Sequence, residues 1–146
     1  MLLRDDVQIA LNDVESLCME AVDHYAAASE RIGTGPLAEL MQDLAEQRKR
    51  EADALADQIR AMGELPKGPD KDSEDVRELL SVITDLFSGN NHASVIDARE
   101  HAEARLADAV DAALKHPLPP ALRELLVAMQ SSIRDARRRL AEHRSG

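Results

Sequence analysis

Val7, Leu11, Val14, Cys18, Ala21, Tyr25, Ala28 and Ile32 follow one another at spacings that alternate four and three. Leu122, Leu126, Met129, Ile133, Ala136 and Leu140 repeat the pattern near the other end. A strand would bury every second residue, whereas this spacing draws one narrow stripe along a helix. A stripe so long is covered only by other helices lying alongside it. Leu37, Met41, Leu44, Leu55, Ile59 and Met62 trace another stripe, and Val95, Ala102, Leu106, Val110 and Ala113 a fourth. Four long helices are therefore expected, the first from roughly Asp5 to Ile32, the second to about Met62, the third from about Ser94 to Leu114 and the fourth after Pro120. The chain of 146 residues makes one domain, residues 1–146, able to bury a core without staples. Tyr25 and Phe87 are its only aromatics, so that core must be built from Leu, Val, Ile, Met and Ala, which suits closely packed helices better than strands.

The breaks between helices set the topology. Gly33-Thr34-Gly35-Pro36 and the HPLPP run at 116–120 are short connections, each making an antiparallel hairpin. Gly63 stops the second helix, and the polar stretch ELPKGPDKD follows at 64–72. Ser73 can cap a shorter helix over 73–88 carrying Val76, Leu79, Leu80, Ile83, Leu86 and Phe87, which SGNNHAS then breaks. A link of about 30 residues between the second and third helices is long enough to cross a whole bundle. The expected fold is all-α, a ferritin-like four-helix bundle with a long crossover carrying an extra short helix.

The formal net charge of −10 argues against nucleic acid or an anionic membrane surface as partner. Arg134, Arg137, Arg138, Arg139 and Arg144 run against that balance and are read as cations complementing a helix C-terminus. Cys18 stands alone, which excludes an intramolecular disulfide and points to a reducing compartment. The acids in MLLRDDVQIALNDVES interrupt any signal-peptide core, and no apolar run reaches membrane-spanning length, so a cytoplasmic location is expected.

The segments LNDVESLCMEAVDHYAAASERI, LAELMQDLAEQRKREADAL, LFSGNNHASVIDAREHAEARLADAVDAAL and HPLPPALRELLVAMQ cover nearly the whole chain. Together, with Tyr25, Arg48, Glu100 and Glu103 as polar landmarks, they resemble a bacterial family of ferritin-like four-helix proteins known chiefly as a domain of unknown function. The resemblance implies the fold and carries no established activity.

In metal-binding members of the wider superfamily each half of the bundle supplies an inward Glu and, on the next helix, an inward Glu-x-x-His. Hard iron needs several anionic oxygens converging on one point. Ferritin-type chains place a ligand Glu seven residues before an inward Tyr, and here that position is Cys18. The second helix offers Arg48 and Glu51, the third Arg99 and Glu103, and the middle of the fourth Met129, Ser132 and Ile133. Two inward carboxylates against two guanidiniums form a balanced set rather than an acidic cage, with Arg48 and Arg99 expected to neutralise Glu103 and Glu51. No metal, cofactor or catalytic residue is expected. Glu20 with His24, and Asp97 with His101, are spaced four apart off the stripes and are read as solvated surface pairs. His92, His116 and His143 lie at turns or the C-terminus and are given no role. Cys18 reads as a small buried hydrophobe, and Gly33-x-Gly35 lacks the strand that a nucleotide fingerprint requires.

The functional expectation is a non-enzymatic bundle acting by association with itself or with a protein partner. Its contact is expected on the helix at 73–88, part of whose stripe covers its own bundle while the remainder forms a homodimer with Ile83 and Phe87 near the contact across a two-fold axis; the alternative for this helix is that the whole stripe packs on its own bundle as a crossover helix. The alternative is a divergent carboxylate-bridged iron-binding or iron-oxidising protein using Glu51, Glu103 and spare acids such as Glu46 and Glu100.

Overall fold

A computed structural model describes residues 2–63 and 92–145, with the side chains of 6–63 and 92–144. These residues form four α-helices, α1 (Leu2–Ile32), α2 (Pro36–Ala61), α3 (His92–Leu114) and α4 (Pro120–Ser145), and no strand occurs among them. The expected helix over 73–88, with Ile83 and Phe87, lies outside the described residues. So does most of the expected crossover. α3 already includes His92 and Ala93, inside the SGNNHAS stretch read as a break; both are exposed, and Val95 and Ile96 reach the core.

Gly33 and Gly35 both hold positive φ, 92° and 101°, which lets the chain reverse within three residues. Pro36 then opens α2 where no backbone N–H is needed. Ser29 Oγ donates to the Ala38 carbonyl at 2.8 Å and ties the two arms of this hairpin together. At the other corner Arg123 donates from Nη2 to the His116 carbonyl at 2.9 Å and from Nη1 to the Leu114 carbonyl at 3.3 Å, satisfying acceptors that the end of α3 leaves without helical partners.

α1 packs against α2 and α3, and α4 packs against the same two helices, so α1 and α4 are diagonal, as are α2 and α3. Two apolar clusters give the directions. One joins Val7, Leu11, Val14 and Cys18 to Leu55 and Ile59, to Leu106 and Val110, and to Leu122, Leu126, Met129 and Ile133. The other joins Ala21, Tyr25 and Ala28 to Leu40, Met41 and Leu44, to Val95 and Ile96, and to Ala136 and Leu140. Hence α1 and α4 run one way while α2 and α3 run the other, and Gly63 and His92 stand at opposite ends of the bundle. Burial of these side chains is the main favourable term holding the four helices together, at about 25 cal/mol for each Å² of apolar surface withdrawn from water. No helix among the described residues is long and apolar enough to cross a membrane.

Candidate functional site: a buried polar layer

The two clusters meet at a layer of polar side chains on the bundle axis, to which every helix contributes. α1 brings Tyr25, α2 brings Arg48 and, one turn on, Glu51, α3 brings Arg99 and Glu103, and α4 brings Ser132. Arg48 and Glu103 are each 0% exposed, which makes this layer the most costly part of the core unless every charge finds a partner.

Arg48 supplies most of the partners. Its Nη2 and Nε donate to Oε1 and Oε2 of Glu103, the latter at 3.3 Å, in a fork that spans the diagonal between α2 and α3. Its Nη1 donates to Glu51 Oε1 at 2.6 Å. The Tyr25 hydroxyl donates to Glu103 Oε2 at 2.9 Å, and Ser132 Oγ donates to Glu51 Oε2 at 2.6 Å while accepting from Arg48 Nη1 at 3.2 Å. All four carboxylate oxygens are thereby engaged. Burial alone would lower the Arg48 pKa, but the Glu103 charge and hydrogen bonds, with help from Glu51, outweigh it and hold the guanidinium above its ordinary value. Burial, reinforced by the Glu103 carboxylate, pushes the Tyr25 hydroxyl well above its usual range, so it keeps the proton it donates.

The expected division of labour, Arg48 and Arg99 sharing the two acids, is corrected here. Arg48 takes both, and Arg99 lies over the Tyr25 ring with its guanidinium carbon 5.1 Å from the centroid, a cation–π contact. Among the described residues Arg99 Nη1 is buried without a hydrogen-bond partner, and burial draws the Arg99 pKa down. Glu15, which the stripe did not single out, is 1% exposed on the flank of α1. Cys18 is buried as expected, and burial, with the Glu51 charge next, raises its thiol pKa and keeps it protonated.

His24 is a second correction. Its side chain is only 22% exposed, whereas Glu20, whose Oε1 stands 3.9 Å from His24 Nε2, is 49% exposed, so the expected solvated pair holds for Glu20 and not for His24. Burial, then the Arg99 charge, pulls His24 down to about 4. The folded protein thus binds this proton less readily than the unfolded chain. The resulting stability is fully present above pH 6.5 and is lost as the pH falls from 6.5 towards 4. The loss attributable to His24 between pH 6.5 and 5 is up to about 2 kcal/mol, from about 1.4 kcal/mol per pH unit. Urea midpoints measured across that window should fall for the native protein and flatten in His24→Gln; an equal slope in both would contradict the assignment.

The other candidates are occupied elsewhere. Arg144 bonds to Asp97 and Glu100 of α3, Arg139 reaches Asp43 of α2 at 3.3 Å, and Arg138 bridges Asp135 and Glu142 on its own helix. Three of the five arginines read as helix-end cations therefore bond specific carboxylates, and two of these tie α4 to its neighbours. Asp97 faces Arg144, and His101 is exposed. A cleft of about 370 Å³ beside Pro36, Ile96, His92 and His143 includes Arg144, whose charge those carboxylates already meet.

The layer does not fit a di-metal centre. Among the described residues no three His, Cys, Asp or Glu side chains form a group that could hold an ion. The oxygens of Glu51 and Glu103 instead converge on a guanidinium, which has no lone pair to give a metal.

Residues 6–116 match the family described as a domain of unknown function, DUF2383. The chain belongs to that family. No curated protein and no solved structure matches it significantly. The DUF2383 match covers α1, α2 and α3 in full apart from the first residues of α1, and so includes Tyr25, Arg48, Glu51, Arg99 and Glu103, while Ser132 lies beyond it.

Proposed function

We propose that this chain is a non-enzymatic, cytoplasmic, ferritin-like bundle that acts by association with itself or with a protein partner and has no di-metal centre. The observation that carries the reading is the saturated central layer, where Arg48, Tyr25 and Ser132 engage every oxygen of Glu51 and Glu103. A carboxylate-bridged iron chemistry would need those oxygens, and the guanidinium takes both the oxygens and the space between them. The ferritin-like assignment is supported by two antiparallel hairpins in which α2 and α3 run in the same direction, with Gly63 and His92 at opposite ends of the bundle. The bacterial resemblance of the sequence points the same way.

The association we propose is a homodimer through the segment at 73–88, whose apolar residues exceed what one narrow contact uses. Light scattering at micromolar concentration should give twice the 16.0 kDa chain mass. Phe87→Glu should halve that mass without loss of helicity. A native mass of one chain would remove the dimer and leave only a different protein partner.

A further inference from the structure

We propose that Arg99, at the seam between α1 and α3, binds one small carboxylate anion through its Nη1, with His24 and Glu20 at the mouth of the site. Arg99 is 5% exposed, and its Nη1 is buried with no hydrogen-bond partner among the described residues. A cation so placed is costly, because a charge withdrawn from water needs an opposite charge or a polar group bonded to it. The candidates inside the layer are taken. Both oxygens of Glu103 accept from Arg48, Oε2 accepts from Tyr25 as well, and Tyr25 offers Arg99 only its ring face at 5.1 Å. Burial disfavours the Arg99 cation; the Glu103 and Glu20 carboxylates support it and Arg105 opposes it, yet none of them bonds to Nη1.

The kind of ligand follows from the donor and from the way in. A guanidinium presents its N–H groups in a planar fork that matches a carboxylate. His24 and Glu20 both lie within electrostatic reach of Arg99. Exposure rises from 5% at Arg99 to 22% for the His24 side chain and 49% for that of Glu20, which outlines a path from the buried donor to solvent along α1. So narrow a path admits a small anion only. Once bound, the anion meets the Arg99 charge and cancels part of the field that Arg99 exerts on His24. Anion binding and His24 protonation therefore favour one another.

The test compares sodium formate with sodium chloride at equal ionic strength, by thermal melts and by NMR titration of the histidines, with the His24 signals assigned from His24→Gln. Formate should raise the native midpoint by about 3 °C over chloride and move the His24 pKa up from about 4. Arg99→Met should lose both responses, and its His24 should titrate higher in either salt. Glu20→Gln, which removes a competing carboxylate, should enlarge the native response. Equal midpoints for the native protein in the two salts, with His24 unmoved, would overturn the proposal, as would a formate response that survives in Arg99→Met. A response confined to Glu20→Gln would overturn it too, since Glu20 would then be the anion that Arg99 holds. The native His24 titration decides even where Arg99→Met fails to fold.

Discussion

Arg48→Ala should destabilise the bundle by about 3 kcal/mol or more, read as a fall in the urea midpoint, because it leaves a buried carboxylate without its counter-charge. The carboxylate concerned is Glu103, which is 0% exposed and would keep only the Tyr25 hydroxyl as a donor. Glu51 suffers less, since its side chain is 12% exposed and Ser132 still donates to it. The asymmetry gives a second expectation. Arg48→Met combined with Glu103→Leu replaces the charged pair by apolar groups of similar bulk and should recover much of the loss, since a well-packed hydrophobic substitute for a buried ion pair is often neutral or better. If Arg48→Ala moves the midpoint no further than Lys49→Ala on the exposed face, the layer is not the structural centre described above.

Leu126→Ala should cost about 3 kcal/mol by a different route, through lost apolar burial and the cavity left behind. Leu126 is 0% exposed in the cluster that gathers Val14, Leu55, Leu106 and Val110. It lies six residues, or about 9 Å of helix rise, before Ser132 in the polar layer. Its effect should therefore add to that of the Arg48→Met and Glu103→Leu pair with little coupling. A loss below about 1 kcal/mol would place Leu126 outside the core and contradict the register of α4.

The stripes of α1 and α4 were legible in full because their spacing never breaks, and every member is buried except Ile32, which is half-buried at the end of its helix. α3 was harder to read. Alanines occur on all its faces, so the spacing points Ala102 inward although it is half-buried, and gives no sign of Ile96, which is 2% exposed. The burial of Arg48, Arg99 and Glu103 is legible because they fall on or beside the apolar stripes of their helices. Their pairing was not readable, since a long guanidinium crosses the diagonal of the bundle and spacing along one helix says nothing about a partner 55 residues away. His24 stands one residue off the stripe, and neither its partial burial nor the Arg99 charge acting on it from α3 is revealed by a pattern on α1. The burial of Glu15 is likewise not legible, as it flanks the stripe without belonging to it.

The central claim, that paired side chains take the place of metal ions at the heart of this bundle, is tested most directly by elemental analysis of native protein purified without chelators. Well under one iron, manganese or zinc per chain is expected, with added ferrous iron oxidising no faster than in buffer. Two ions per chain, lost when Glu51 and Glu103 are replaced, would contradict it.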